Sequence, residues 1–447
     1  MKKSLQTLLF LIIAILVVSG CSNSNKTSDQ NKNTNEDKSL EEELTFDTSL
    51  EGEITFWNFL PNIYDEVIVE FNKVYPNIKV NQVAMGWEMH DKLQTALAAG
   101  TGAPDVAVVE QGAFTRYGAD MLEDLLQEPY NAGRYQDDTS EYNWERWKSI
   151  DGKKLLAMPW DVTPAVFYYR ADIYEQHGLP SDPEELGEFL QDDKNVIEAA
   201  KTLAANDIYM FEWRDSPPNH YGDGTGYFDS ELNWVRNNDR MVELLDFVKE
   251  GVQVGWSPQI SAFSDEGKQL IAQGKTASFP GGSQAARDIE NTFPDQAGKW
   301  RVTRYPLGIN AGLGGSAHVI PSQSQNKDAA WAFVEFMNRS EEAWKVFTEH
   351  SIQPGWNSIS TLPWYANHES EFLGGQKDYA FYDKLDEDIP VRRLTSLDGA
   401  AWEIYIELVA KAIDENIDSK TTMNQIEDRV YRELGAEIEK LKQEIGQ

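Results

Sequence analysis

The pattern that most restricts the fold lies between Glu53 and Glu110. "EITFWNF" reads as a strand, and "NIYDEVIVEFNKVYP" places Ile63, Val67, Ile68, Phe71 and Val74 at helical spacing before Pro76 stops it. "IKVNQVAM" is a second strand. "WEMHDKLQTALAAG" is a helix with Leu93 and Leu97 on its apolar face and Gly100 at its end, and "TGAPDVAVVE" supplies a turn and a third, fully apolar strand. Strands and helices alternating at this spacing imply parallel pairing through right-handed crossovers. Ligands of such open sheets sit beyond the carboxyl ends of the strands. That rule singles out Trp57 and Asn58, Trp87, and Glu110 and Gln111.

Further along, "KLLAMPWD" and "AVFYYRADIY" are strand-like on either side of Trp160-Asp161. "ELLDFVKEG" and then "SDEGKQLIAQGKTASFPGG" repeat the helix-then-strand theme, and "GLGGSAHVIP" is a strand leaving a glycine turn. From "KDAAWAFVEFMN" to "QIEDRVYRELGAEIEKL" the chain is mostly amphipathic helix. No fixed-period repeat is visible, which argues against solenoids and propellers.

The N-terminus carries Lys2-Lys3, a short apolar run "LQTLLFLIIAILVV", and Val18-Ser19-Gly20-Cys21. These are the charged, apolar and small-residue parts of an export signal, and the run is too short to span hydrocarbon comfortably. "VSGC" resembles a bacterial lipobox, which implies cleavage before Cys21 and a lipid on its sulfur; the competing reading is an uncleaved anchor helix. Cys21 is the only cysteine, so the exported body has no disulfide and no thiol chemistry of its own. The stretch "SNSNKTSDQNKNTNEDKSLEEE" has too few apolar residues to offset ordering entropy and reads as a tether. The expected division is therefore a signal at 1–20 and a lipidated cysteine with its polar tether at 21–50. The body would then sit on the extracellular face of the cell membrane, touching it only through the lipid, as on a Gram-positive surface. A net charge of −34 repels phosphate backbones and makes a nucleic-acid partner improbable.

"EITFWNF", "LAAGTGAPDVAVVE", "KLLAMPWDVTPAVFYYRADIYEQHGLP", "GKTASFPGG" and "GLGGSAHVIPSQSQNKDAAWAFVEFM" follow one another over nearly all of residues 50–447. In content and order they resemble the extracellular solute-binding proteins of bacterial ABC importers, in the carbohydrate-binding group that includes maltose-binding proteins. The resemblance implies an α/β, two-lobe, type II periplasmic-binding-protein-like fold. Each lobe would be a mostly parallel sheet flanked by helices, with a cleft between them. It also implies lobe one at 51–161 and 280–315, and lobe two at 162–279 and 316–447 with the C-terminal helices. The chain would cross just after Trp160-Asp161, return near Phe279–Ser283 and cross again near Gly314–Ser316. Gly281, Gly282, Gly314 and Gly315 would serve as hinges, because glycine accepts large φ/ψ changes without a Cβ. The implied role is capture of an oligosaccharide or disaccharide by a monomer and its delivery to ABC permease subunits, with no cofactor and no catalysis.

A neutral sugar offers hydroxyls that donate and accept, together with apolar C–H faces. Its site needs carboxylates, amides or guanidinium groups beside flat aromatic rings. Trp57-Asn58, Glu110-Gln111 and Trp160-Asp161 have that chemistry at strand ends; the competing reading of the acids is a solvated loop carboxylate or a helix N-cap. Trp213-Arg214 would face them from lobe two, and Ser283 lies beside the hinge glycines. Trp402 lines up with a position at which the maltose-binding relatives place a stacking aromatic. Trp87 and Trp356 complete the candidates.

Adjacent tyrosines such as Tyr168-Tyr169 ligate iron in some relatives of this fold class, but consecutive strand residues point to opposite faces, and no histidine pair has zinc spacing. Two other functions compete. A secreted, lipid-anchored glycoside hydrolase could use Glu110 and Asp161 as acid and nucleophile if their separation suited one of the two hydrolytic geometries. A surface adhesin or sensor could use the same cleft without transport.

Overall fold

A computed structural model describes residues 47–446. The export signal, Cys21 and the tether up to residue 46 lie outside the described residues. Strand β1 (Gly52–Asn58) pairs in parallel with β2 (Ile78–Ala84) and β3 (Val106–Glu110). Helices α1 (Tyr64–Val74) and α2 (Glu88–Ala99) make the crossovers, and Gly100 ends α2 in the left-handed conformation with φ 70°. Tyr64, Val67 and Phe71 are the buried face of α1. Tyr64, which the sequence periodicity left out, meets Phe56 of β1 edge-on at 4.8 Å, while Val67 and Phe71 of the predicted face are buried and Ile68 and Val74 only half-buried.

The sheet continues in the order β2-β1-β3-β8-β4, where β8 (Ser316–Val319) runs antiparallel to both β3 and β4 (Met158–Pro159). Because β8 opposes its two neighbours, its first residue lies at the edge where β1, β3 and β4 end. Glu110 consequently stands opposite Ser316. Segments distant in sequence, ending at Asn58, Glu110 and Pro159 or beginning at Ser316, converge on one rim.

The second sheet has the order β6-β5-β7, with β5 (Ala165–Arg170) between β6 (Ser278–Gly282) and β7 (Trp300–Arg304). Both pairings are antiparallel, so the expected mostly parallel pairing is found among β1, β2 and β3 and not in this sheet. β5 is buried along its whole length. Phe167 and Tyr169 pack into one hydrophobic cluster and Val166 and Tyr168 into another, which explains the unbroken apolar run "AVFYY". The Tyr168 hydroxyl donates to Ser283 O at 2.9 Å and that of Tyr169 to Ser181 O at 2.7 Å, so the pair does not converge on a common ligand.

The pairing also corrects the expected boundaries. Residues 280–315 were assigned to the first lobe, but β6 and β7 belong to the sheet of β5. Residues 316–447 were assigned to the second, but β8 belongs to the first sheet and the helix Lys327–Arg339 packs against β1, β4 and α1. Pro280 sits within β6, which is an edge strand, where a proline is tolerated. The chain passes between sheets at residues 160–164 and 305–315. After the helix Glu341–Glu349 it passes again, and Tyr365, Phe372 and Tyr382 join the core of β5.

Candidate functional site

Where the strand ends converge there is a cavity of 290 Å³. Its walls include Trp87, Glu110, Asp161, Gly314 and Gly315 from the first sheet's rim, and Gln284 and Arg287 from the segment after β6. Trp87 precedes α2 and is 65 % exposed, the most exposed large apolar side chain among the described residues. Phe59 and His90 brace its ring, with centroids 5.0 and 5.2 Å away. A rigid, wet indole over a cavity is a stacking surface.

The carboxylates are set differently. Glu110 is the N-cap of helix α3 (Gln111–Phe114), and its Oε2 accepts from Gly112 N at 2.7 Å. Burial raises its pKa against the pull of that bond and of Arg146 and Arg392. Asp161 Oδ1 accepts a short hydrogen bond from Ser316 N, the first residue of β8. Its pKa is pushed up to about 6, chiefly by burial and also by Glu110, while Arg146 and the Ser316 amide oppose the rise. Both acids are poised to gain from a donor that enters the cavity.

Arg146, just after helix α4 (Glu141–Glu145), holds this rim from below. It is fully buried and donates to Gly314 O and Asp161 O, each at 2.8 Å, to Asn143 Oδ1 at 2.7 Å, and to Gln111 Oε1 at 3.3 Å. A Cβ on Gly315 would lie 2.6 Å from its Nη2, and Gly315 has φ 107°, so two independent constraints require glycine there. His90 fixes the other side. Its Nδ1 faces Trp87 O at 3.2 Å and can only donate, whereas its Nε2 accepts from Glu110 N at 3.2 Å. Those partners select the neutral Nδ1–H tautomer, in keeping with a pKa lowered by burial. Two buried polar atoms on the walls, Thr163 Oγ1 and Gln284 Oε1, have no hydrogen-bond partner. Such groups are uncommon and are satisfied by what fills the space.

The fold brings together Trp87, Glu110, Trp160, Asp161, Gly314 and Gly315 among the expected site residues. Trp160 touches the cavity but is fully buried, between Phe347 at 5.0 Å, His318 at 5.4 Å and Tyr64 at 5.5 Å, so it is the floor. Asn58 is buried just beneath the rim, with Oδ1 accepting from Leu60 N and Nδ2 unpartnered. Trp57 is half-buried on β1 and does not line the cavity, and Gln111 serves Arg146. Gly281 and Gly282 are ordinary residues of β6, and the Ser283 carbonyl is held by Tyr168.

Four candidates lie elsewhere. Arg214 is ion-paired to Asp414 at 2.5 Å, and Trp213 beside it is 39 % exposed away from the cavity walls. Trp356 is core, under the guanidinium of Arg339 at 4.6 Å. Trp402 packs on the helix cluster behind β5, tilted against Tyr405. Sequence reasoning overlooked Phe59, Gln284, Arg287 and Arg146. Phe59 and Gln284 adjoin chosen residues, whereas Arg146 in "NWERWK" carries no local sign that its partners come from three other segments.

Residues 60–344 match the family described as bacterial extracellular solute-binding protein. The arabinooligosaccharide-binding protein of Bacillus subtilis (strain 168) is 28 % identical over 371 residues, 76 % of this chain and 77 % of its own. The lactose-binding protein of Rhizobium radiobacter is 28 % identical over 355 residues, 73 % and 80 % of the two chains. Among solved structures, the sugar-binding protein MalE of Xanthomonas citri superposes with a TM-score of 0.71 at 20 % identity, covering 88 % of this chain and 100 % of its own. The galacto-N-biose/lacto-N-biose I-binding protein of Bifidobacterium longum gives 0.68 at 20 % identity, covering 86 % and 98 %. The architecture is the type II periplasmic-binding-protein fold. With the family match spanning most of the described chain, the protein belongs to the bacterial extracellular solute-binding proteins.

Proposed function

We propose that this protein captures an oligosaccharide in the cavity at the first sheet's rim and delivers it to the membrane subunits of an ABC importer without chemical change. The observation that carries the reading is the exposed Trp87 ring beside two half-buried carboxylates, Glu110 and Asp161, with unmatched polar atoms on the same walls. One ring takes an apolar sugar face while the acids accept from its hydroxyls. Relatives are named for binding arabinooligosaccharides and lactose. Both carboxylates are tethered to backbone amides, an arrangement suited to holding hydroxyls.

The passages at 160–164 and 305–315 would act as the hinge, with Gly314 and Gly315 at φ 119° and 107° absorbing the rotation. Closure would follow from contacts made only when sugar bridges Asp161 to Gln284. The working form would be a monomer held by a lipid on Cys21 at the outer face of a Gram-positive membrane. No helix among the described residues is long and apolar enough to cross a membrane.

A thermal-shift and tryptophan-fluorescence panel of arabino-, galacto-, xylo- and malto-oligosaccharides tests this. At least one should raise the melting temperature at millimolar concentration. No response to any sugar rejects the reading, and shortened products after incubation would replace it with hydrolysis.

A further inference from the structure

A second cavity, of 590 Å³, opens between α4 and the segments at residues 225–238 and 391–395. Arg392 lines it and is only 9 % exposed. Its Nε is buried with no hydrogen-bond partner, and among the described residues no carboxylate pairs with its guanidinium at ion-pair distance. Asp223 and Asp398 act on it only through space. Neighbouring Arg393 differs, being paired to Glu145 at 2.9 Å. A Cβ on Gly226 would lie 3.5 Å from Arg392 Cδ, so the arginine stem lies against that glycine. Arg236, fully buried over the ring of Tyr227, donates to Gly226 O and has its own counter-ion in Asp223 at 3.8 Å. Of the two guanidinium groups beside Gly226, Arg392 is therefore the one without a paired carboxylate.

A buried cation without a counter-ion is costly, and a planar fork of donors is best met by a planar pair of anionic oxygens. We infer that this cavity receives the carboxylate of a uronic acid unit, so that the ligand is an acidic, uronate-bearing oligosaccharide. The inference rests on the sugar-binding reading above. The two cavities are electrically linked, since the charge of Arg392 is felt at Glu110. α4 joins them structurally: Glu141 and Glu145 line the second cavity, while the Tyr142 hydroxyl on the same helix accepts from Arg146 beneath the first.

The test is a titration of uronate-branched xylan, arabinan and pectin fragments, each beside the same compound with its carboxyl group reduced to a hydroxymethyl. At least one acidic member should bind about tenfold or more tightly than its reduced partner. That preference should shrink in high salt and disappear in Arg392→Gln. Equal affinities within every pair, or a preference that survives Arg392→Gln, would overturn the inference while leaving neutral-sugar binding intact. No binding by any acidic or neutral saccharide would remove both readings. Should the variant fail to fold, the salt dependence of the parent's preference decides: a preference unaffected by salt counts against Arg392.

Discussion

Trp160–Asp161 and Trp213–Arg214 both set an indole beside a charged group, but only the first removes its charge from water. At Trp160–Asp161 the indole is fully buried among Tyr64, His318, Trp344 and Phe347, and burial, helped by Glu110, pushes the carboxylate's pKa up to about 6. At Trp213–Arg214 the ring is exposed and the guanidinium closes on Asp414 of the helix Asp398–Asp414. A recognition site needs polar groups whose hydrogen bonds are worth more with a ligand than with water. Burial supplies that difference, and an exposed ion pair has already lost it.

The contrast can be broken most forcefully through the floor. Trp160→Ala should cost about 3–5 kcal/mol in chemical denaturation, as expected for a large buried aromatic, whereas Trp213→Ala should stay within about 1 kcal/mol of the parent. Equal losses would mean that Trp160 is not the packed floor.

Asp161→Asn comes next and separates binding from stability. It should weaken sugar binding by about tenfold or more by calorimetry, while Asn keeps an acceptor for the Ser316 amide. Asp161 has its folded pKa raised, so its ionisation works against the fold. The parent is favoured below the ordinary aspartate value of 3.8 and loses that advantage as pH rises through about 6. The Asn variant should therefore gain melting temperature relative to the parent across that interval and hold the gain above it. Parent affinity should fall as pH drops below about 6, and the variant's, which keeps only Glu110, should fall less.

Trp87→Ala sharpens the aromatic side. Affinity should drop roughly threefold to tenfold, the scale of one stacked ring, with no change in melting temperature because that ring is mostly in water. The smallest expected effect is Arg214→Ala, which should leave affinity within about twofold and stability within about 1 kcal/mol. A larger loss of affinity would bring the opposite wall back into the site.

Much of this arrangement was legible in the chain. The first three strands, their crossovers and the strand-end rule pointed to Trp87 and Glu110 on the cavity wall, though also to Trp57, Asn58 and Gln111, which do not line it, because hydrophobic period and parallel pairing are local signals. The second sheet was not, because antiparallel and parallel strands of one buried run look the same until partners are known. The resemblance implies a crossing near Phe279–Ser283, yet Ser278–Gly282 is an edge strand, where the amide missing at Pro280 is tolerated. Arg146 illustrates a deeper limit. Its role depends on Gly314, Asp161 and Gln111 arriving from separate segments, and no period within "NWERWK" encodes that meeting. Trp356 and Trp402 show the converse, since aromatic residues promise recognition only when the fold leaves a face uncovered.

The most direct test is a crystal structure with whichever sugar of the panel stabilises the protein most. Sugar rings should lie against the face of Trp87, with hydroxyls within hydrogen-bond distance of Glu110 and Asp161 and of Gln284 across the cavity. Density stacked instead on Trp213 or Trp402, with the rim at Asp161 empty, would contradict the assignment of the first sheet's edge as the binding site.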